Sequence, residues 1–348
     1  MVLHNLIDGR VLKEKLHSTP QDRVTVSFYK YHRIPELQQF RNNLYRDWDA
    51  LGVLGRIYIA DEGINAQISV PRSNFGAFKE HLYSIPFLNG VRLNTAVNDN
   101  GKSFFKLRVA IRKKIVADGI SDPNFDVTLH GKHVNAAEFN KLADDANTII
   151  VDMRNHYESE VGHFKNAVCP DVDTFREELQ AAEDLMAEQK DKNLLMYCTG
   201  GIRCEKASAW MKYKGFKNVF QLDGGIINYA KQVKEQGLEN KFIGKNFVFD
   251  ERLSERITDD VLSHCHQCGK PADTHINCKN EACHILFIQC GECAEKFNEC
   301  CSTNCQEVIK LPIEVQKEKR SGKAQGRMVF KKGRAGHLIG ITNNTNSE

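Results

Sequence analysis

The chain has 348 residues, 41% of them apolar and 27% charged, and a formal net charge of +3. This is the composition of a globular protein, and the length fits two or three domains better than a single core. No apolar run approaches the roughly 18 to 20 residues of a membrane helix, and the first residues lack a basic start followed by an apolar stretch. We therefore expect neither a membrane span nor a secretion signal, and expect a cytoplasmic protein.

The first predicted domain, residues 1–120, combines strands with two helices. An Asp/Gly turn between two apolar strands indicates a hairpin, and a proline opens each helical stretch. The order βαββαβ with one added strand predicts a ferredoxin-like α+β domain, a fold that serves many functions and identifies none. The predicted strands are 24–31, 53–60, 63–70, 91–97 and 104–116, and the predicted helices are 36–52 and 71–86.

The second predicted domain, residues 121–240, alternates strands and helices. Apolar strands are predicted at 147–154, 193–198 and 218–222, with a helix at 204–215 and a further helix after the turn DGG. Strands that alternate with helices imply a parallel α/β sheet.

The rest of the chain divides into a cysteine-rich module, residues 241–311, and a basic tail, residues 312–348. Nine of the twelve cysteines lie between 265 and 305. In a reducing cytosol this clustering indicates metal binding or thiol chemistry rather than disulfides. The tail is poor in apolar periodicity, and its final stretch NNTNSE is predicted to be disordered.

The strongest chemical signal is the string MYCTGGIRCEKAS, in which Cys198 ends a buried strand. A glycine-bearing loop and a helix beginning near Arg203 follow, so the sulfur is predicted at the carboxyl edge of a parallel sheet, where α/β ligand sites form. The N–H groups of the loop and of the helix N-terminus would lower the pKa of the thiol and favour a thiolate or a persulfide. Gly200 and Gly201 let the backbone wrap around the sulfur, and Arg203 adds a cation that anchors the loop or an anionic substrate.

Some residues near this loop have two interpretations each. A lone cysteine that ends a strand is usually a small buried hydrophobe, but the whole string favours a reactive thiol. Cys204 could resolve a persulfide or sulfenic acid on Cys198, although a small residue at a helix start is the simpler interpretation. Asp152 and Arg154 sit at the end of a neighbouring strand and could support the loop or contact substrate; we favour support.

The cysteine spacing between 265 and 305 is C-x2-C, C-x4-C, C-x2-C and C-C-x3-C. Short spacings let two sulfurs of one turn reach a tetrahedral zinc ion. Two such sites could form, and their pairing is not readable from sequence. The first would take Cys265, Cys268, Cys290 and Cys293, and the second Cys278, Cys283 and Cys305 with Cys300 or Cys301, of which we select Cys301.

Structural zinc is the favoured interpretation of this cluster, because the segment is poor in apolar residues and metal ligation could supply its missing core. An iron–sulfur cluster, or a reduced or partly disulfide-linked cluster, stays open. No organic cofactor is identifiable. Four histidines are spare ligand candidates, each interpreted as a surface residue: His264, His266, His275 and His284.

Basic residues follow one another along the last predicted strand of the first domain, and a second basic run extends from Lys310 to Arg334. Either run could hold the phosphates of a folded RNA and give salt-dependent affinity. On charge alone, a solvated strand face and an ordinary basic tail are the simpler interpretation. The RNA-binding candidates on the strand are Lys106, Arg108, Arg112, Lys113 and Lys114.

The thiol loop resembles that of the rhodanese superfamily. Its length of six residues matches the sulfurtransferase members, whereas the related dual-specificity phosphatases have a loop one residue longer. The stretches 151–168 and 222–230 resemble the two rhodanese signatures, with Tyr229 where many members carry Trp. The resemblance makes His163 a structural residue of its turn. The loop residues are Cys198, Thr199, Gly200, Gly201, Ile202 and Arg203.

Four longer motifs occur together and in one order, and they resemble the bacterial tRNA uridine-34 hydroxylase family. The resemblance implies an acylphosphatase-like domain, a rhodanese domain and a cysteine-rich C-terminal module. It further implies oxygen-dependent conversion of the wobble uridine to 5-hydroxyuridine, with the active-site cysteine at Cys198. The motifs are IADEGINAQISVP (59–71), MYCTGGIRCEKASAW (196–210), FIGKNFVFDERLSERI (242–257) and CHQCG (265–269).

The favoured hypothesis is therefore a tRNA-modifying enzyme that acts on the anticodon region, with molecular oxygen and an unknown reductant as co-reactants. Two alternatives use the same residues. One is a sulfurtransferase that moves sulfane sulfur to cyanide or a carrier protein, and the other is a non-catalytic RNA-binding module. The intact Cys198 and Arg203 count against the second. The oligomeric state stays open.

Overall fold

The computed structural model describes residue 7 and residues 9–18, 22–322 and 329–330. Within these ranges no helix has the length and the apolar character needed to cross a membrane. The predicted basic tail beyond residue 322, with its proposed disordered end, lies outside the described residues apart from 329–330.

The N-terminal region is built on a five-stranded sheet of order β4-β1-β3-β2-β5. Strands β1 and β2 are antiparallel to β3, and β5 is parallel to β2 at the edge. The predicted βαββαβ order with one added strand is confirmed, and helix α1 is an element that the sequence patterns do not predict. The elements are α1 (Gly9–Ser18), β1 (Arg23–Tyr31), α2 (Leu37–Ala50), β2 (Leu54–Ala60), β3 (Gly63–Pro71), α3 (Phe75–Ser84), β4 (Asn94–Thr95) and β5 (Leu107–Ile111).

The two faces of this sheet differ because side chains alternate along each strand. On the apolar face, Val26, Ile57 and Ile68 pack against Trp48 of α2 and Phe78 of α3, and all five are buried. Helices therefore cover this face, and the opposite face is left for other contacts.

The opposite face, here called the polar face, carries two rows of side chains across β1, β3 and β2. Register places these side chains in adjacent rows because cross-strand partners in a sheet lie side by side. The rows bring hydroxyl, amide and guanidinium groups together at the centre of the sheet. The first row is Tyr29, Asn65 and Tyr58, and the second is Ser27, Gln67 and Arg56.

The central region contains a parallel sheet of order β6-β10-β9-β7. Strand β9 lies inside the sheet and is buried from its second residue onward, with Leu194 and Met196 in one core and Leu195 and Tyr197 in the other. A strand buried on both faces is typical of parallel sheets, and the predicted α/β class is confirmed. The elements are β6 (Lys132–Val134), α4 (Ala136–Ala143), β7 (Thr148–Asp152), α5 (His156–Ser159), β8 (Gly162–Phe164), α6 (Phe175–Met186), β9 (Asn193–Tyr197), α7 (Ile202–Tyr213), β10 (Asn218–Leu222) and α8 (Gly225–Gln236).

The C-terminal region starts with a strand, β11, that pairs with β8 of the central region and with β12. Beyond it, two small cores contain cysteines among a few apolar side chains such as Ile285 and Phe287. The cysteine-rich region is thus joined to the central region by a shared sheet. The elements are β11 (Phe242–Phe247), β12 (Ser254–Arg256), β13 (His275–Asn277), β14 (Leu286–Ile288), α9 (Gly291–Phe297), α10 (Thr303–Ile309) and α11 (Ile313–Arg320).

Ion pairs join the N-terminal and central regions. The buried Lys206 ammonium on α7 lies 2.8 Å from the Glu62 carboxylate and also contacts Asp118. Arg92 pairs with Asp223, with Nη2 and Oδ2 2.5 Å apart. These contacts hold the polar face of the first sheet over the loop that follows β9.

Candidate active site

A cavity of about 450 Å³ lies between the polar face and the loop that contains Cys198. This volume is within the usual range for small-molecule sites. Three parts of the chain contribute most of its polar lining: the polar face, the loop 198–203, and the segment 248–255 after β11. Aromatic side chains, among them Phe104 and Phe249, contribute to its wall beside the polar groups.

Cys198 directly follows β9 and is the first residue of the loop that leads into α7, and only 1% of its surface is exposed. The backbone N–H of Gly201 donates to its Sγ at 3.2 Å. Gly201 has φ of +99° and caps α7, a conformation that glycine adopts without the steric cost of a Cβ. The sulfur therefore faces both the N-terminus of a 12-residue helix and the cavity.

The surroundings of Cys198 lower the pKa of its thiol to about 6. Burial alone would raise this pKa. Hydrogen bonds from the Cys204 side chain, the Arg203 charge, and the N–H groups of Cys204 and Gly201 outweigh burial. At neutral pH the sulfur is therefore mainly a thiolate, which is the nucleophilic form of cysteine.

Arg203 points back into the protein and pairs with a residue that the sequence analysis did not identify, Glu158 on α5. The guanidinium donates to both carboxylate oxygens, at 2.6 and 2.8 Å, and both side chains are buried. Burial would raise the pKa of Glu158, but the charge and hydrogen bonds of Arg203 lower it. Glu158 thus holds the cation of Arg203 beside the sulfur.

Cys204 is buried and lies against Cys198. Its thiol hydrogen-bonds the Cys198 sulfur, and burial together with this contact raises the pKa of Cys204 well above its usual value. The side chain is therefore a neutral thiol that donates to the Cys198 anion. The sequence offered two interpretations of this residue, and neither included this one.

The first turn of α8 supports the loop from below. The N–H groups of Ile226 and Ile227 donate to the carbonyls of Cys198 and Thr199 at 3.0 and 3.2 Å. A Cβ on Gly225, whose φ is +66°, would lie 2.5 Å from the Cys198 carbonyl oxygen, so only glycine allows this approach. On the other side, Asn94 donates to the Gly200 carbonyl at 3.3 Å.

Asp152 and Arg154 lie beneath the loop and are fully buried. The Arg154 guanidinium donates to Asp152 at 2.7 Å and to the Gly162 carbonyl at 2.6 Å. Tyr197, the residue before Cys198, donates to the same Asp152 carboxylate at 2.8 Å. The structure therefore places this pair against the strand that carries the thiol, which is a supporting position.

Eight cysteines form two groups, and in each group all four sulfurs lie within 4.8 Å of one another. A tetrahedral zinc with Zn–S of about 2.3 Å requires sulfurs about 3.8 Å apart. The Cys268–Cys290 and Cys283–Cys301 sulfur separations are 3.6 and 3.7 Å. Each group could therefore hold a metal ion. The first group is Cys265, Cys268, Cys290 and Cys293, and the second is Cys278, Cys283, Cys301 and Cys305.

The histidines of this region do not share the surface position expected for them. His275 is buried, and His266 is half-buried with its Nε2 3.0 Å from the Glu160 carboxylate, so the expectation is wrong for these two. His264 and His284 are exposed, as expected. The apolar pattern around His275 on β13 is too short to reveal its burial from sequence.

The five basic residues around β5 differ in their exposure to solvent. Lys114 is half-buried, donates to Asp118 at 2.5 Å and also contacts the Ile120 carbonyl, so it is held within the chain rather than presented to a phosphate. The other four candidates are exposed at the edge of the sheet: Lys106, Arg108, Arg112 and Lys113.

Three protein families match successive parts of the chain. Residues 23–115 match the UPF0176 acylphosphatase-like domain, residues 135–232 the rhodanese-like domain, and residues 243–306 the family described as rhodanase C-terminal. Among solved structures, the rhodanese-like domain of an Anabaena protein aligns with 32% of this chain and 78% of its own length, at 19% identity and a TM-score of 0.26. That likeness is too weak to add to the argument.

Other relatives align with nearly the whole chain and share more than half of its residues. A tRNA uridine(34) hydroxylase of Enterobacter sp. (strain 638) is 56% identical over 343 residues, 98% of this chain and 98% of that protein. The protein of the same name from Escherichia fergusonii is 55% identical over 96% of this chain and 95% of its own length. The chain therefore belongs to the tRNA uridine(34) hydroxylase family.

Proposed function

We propose that the protein hydroxylates uridine 34 of tRNA to 5-hydroxyuridine, with Cys198 as the nucleophile. The observation that carries this proposal is the sulfur itself: its thiol has a pKa of about 6, and it lines a cavity with room for a base. The relatives over nearly the whole chain carry the name of this activity. A cytosolic location would follow from the substrate.

The wall opposite the thiol suits a uracil ring. Asn65 and Gln67 offer amide groups that both donate and accept, as the uracil edge requires, and Tyr58 and Phe249 offer faces for stacking. A base of the anticodon loop is unpaired, so turning it into a pocket costs less than extracting it from a duplex. The N-terminal sheet would thus read the base while the loop reacts with it.

The thiolate would add to C6 of the uracil, breaking the C5–C6 double bond and placing an electron pair on C5 and O4. C5 would attack an electrophilic oxygen derived from O₂, H5 would leave as a proton, and loss of the sulfur from C6 would restore the double bond. One O₂, two electrons and two protons then yield one C5 hydroxyl and one water. A two-electron reductant is therefore a required partner.

We propose that the exposed basic residues at β5, of which Lys113 and Arg112 are examples, contact tRNA phosphates outside the cavity. We further propose that the two four-cysteine groups hold structural zinc. Sulfur separations of 3.6 and 3.7 Å support zinc, and four thiolates leave no open position for chemistry.

The test is the nucleoside content of tRNA from a strain that lacks the gene, complemented with variants. The wild-type gene should restore 5-hydroxyuridine at position 34, and Cys198→Ala should restore none. Cys169→Ala is the matched control, because Cys169 is a half-buried thiol outside the loop, and burial raises its pKa to about 12. Undiminished 5-hydroxyuridine with Cys198→Ala, measured by mass spectrometry, would refute the proposal.

A further inference from the structure

A group of three metal-ligating side chains lies beside the active site, outside the cysteine groups. It consists of His130 and His133, before and within β6, and Glu205 on α7. One ligand atom from each lies within 4.8 Å of the other two. Both imidazoles are 36% exposed, whereas the carboxylate is nearly buried.

We propose that these three residues bind a divalent first-row transition metal. Two imidazole nitrogens and one carboxylate oxygen suit ions such as Fe²⁺ and Zn²⁺, unlike the all-oxygen sites of Mg²⁺ or Ca²⁺. Three ligands from one side leave further coordination positions open to solvent. The site shares no ligand with the thiol loop or with the cysteine groups proposed to hold zinc.

The surrounding groups orient the three ligands as metal sites require. Nδ1 of His130 lies 2.9 Å from the Gly131 carbonyl and donates there, so Nε2, 3.8 Å from the Glu205 carboxylate, is the ring nitrogen available to a metal. Glu205 accepts hydrogen bonds from Tyr29 and Gln221, both at 2.9 Å. Such outer contacts fix the ring tautomer and the carboxylate orientation at metal sites.

The hydrogen bonds around His133 conflict with one another when no cation is bound. Its Nε2 lies 3.0 Å from the Glu205 carboxylate, which needs a proton there, and 2.7 Å from the Gln221 amide nitrogen, which needs a lone pair. Flipping the Gln221 amide over would not help, because its oxygen would then face the Glu205 carboxylate and two acceptors would repel each other. A cation bound to the Nε2 lone pair and to the carboxylate removes the conflict, because Gln221 then donates to Glu205 alone.

The position of the site links it to the cavity through one residue. Tyr29 lines the cavity and donates its hydroxyl to Glu205. Its oxygen also lies 2.8 Å from where a Cβ on Gly201 would be. The metal would therefore contact Glu205 rather than the substrate, and it would fix the wall that Tyr29 forms.

Metal counting on the full chain tests this inference. The wild-type protein, dialysed against Zn²⁺ and, under anaerobic conditions, against Fe²⁺, should hold one metal ion more than His130→Ala or His133→Ala. The matched control is His32→Ala, which removes an exposed histidine of the N-terminal region and should bind as the wild type does. Matching circular dichroism spectra of all four proteins show that the fold is intact.

Two results would overturn the inference. If wild type and both histidine variants bind the same number of ions, His133 and Glu205 form only an ion pair. If Co²⁺ replaces the additional ion and it shows thiolate-to-metal charge-transfer absorption, the ion lies on cysteines instead. The expected spectrum of the additional Co²⁺ has no such band, since its donors are nitrogen and oxygen.

Discussion

The chain places its cysteines in two opposite kinds of surroundings. Cys198 is surrounded by donors and a cation: the Gly201 N–H, the Cys204 thiol and the Arg203 guanidinium. The cysteines of the C-terminal groups are surrounded by one another, with sulfurs 3.6 to 3.7 Å apart. One sulfur with positive neighbours becomes a stable, reactive anion, whereas four neighbouring sulfurs are placed to share one metal ion.

The comparison teaches that burial alone does not decide what a cysteine does. Cys198 and Cys278 are equally buried, at 1% exposure each. Their neighbours differ, because α7 directs its N-terminus at Cys198 while Cys278 faces Cys283, Cys301 and Cys305. The reactivity of the Cys198 loop should therefore not depend on a metal, whereas the folding of the C-terminal module should depend on one.

The largest expected effect comes from removing the zinc that we propose for the two four-cysteine groups. Structural zinc contributes an apparent free energy of about 10 to 16 kcal/mol in small zinc modules, so chelation should unfold residues 265–305. The loop should keep its reactive thiol, since its donors come from α7. Hydrogen exchange should increase across 265–305 only, and alkylation of Cys198 should continue at the native rate.

Single substitutions sharpen this result. Cys301→Ser should lose one metal equivalent, whereas Cys300→Ser, at the adjacent buried position outside the group of four, should lose none. Equal metal content in the two variants would contradict the assignment of Cys301.

The second effect comes from the ion pair that fixes the cation near Cys198. Glu158→Ala leaves the buried Arg203 without its partner, which should lower the free energy of unfolding by about 3 to 5 kcal/mol. Asp191→Ala is the control, because its pair with Lys217 is exposed and screened by solvent, so its loss should leave the free energy of unfolding nearly unchanged. Denaturant unfolding measures both, and equal losses would mean that Arg203 is not held by this pair.

Sequence reasoning predicted those features whose signals are local in the chain. The loop motif lies within six residues, so strand, glycine turn and helix start could be recognised together. The alternation of strands and helices likewise identified the parallel sheet. The first sheet was predicted because its hairpin and its proline-led helices each have a short signature.

The unpredicted features depend on contacts between distant segments. Tyr29 and Glu205 are 176 positions apart, and Glu158 and Arg203 are 45 apart. The alternation of side chains along β1 shows which residues share a face of the sheet. It does not show that this face lies over the Cys198 loop. Cys300 and Cys301 are adjacent, so only the direction of the chain at that point decides which sulfur joins the group.

The third effect concerns the pH dependence of the Cys198 reactivity. With a pKa of about 6, its alkylation rate should rise with pH through about 6 and level off near neutrality. At pH 7 the thiolate fraction would be about 90%, against about 1% for a thiol with an ordinary pKa near 9, a difference of roughly 90-fold. Cys198→Ala supplies the background from other thiols. An inflection of the alkylation rate near pH 9 would mean that Cys198 is an ordinary thiol, and the proposed difference between Cys198 and the C-terminal cysteines would be wrong.

The smallest effect comes from the thiol that donates to Cys198. Cys204→Ala removes one of several donors, so the pKa of Cys198 should rise above its native value of about 6. The thiolate fraction at pH 7 would then fall below that of the native protein. Cys204→Ser keeps a donor at the same position and should leave the inflection close to its native value, since a hydroxyl stabilises an anion as a thiol does. If both variants shift the inflection equally, the contribution of Cys204 comes from packing against the sulfur and not from its hydrogen bond. The anion would then depend on Arg203 and the backbone of α7 alone.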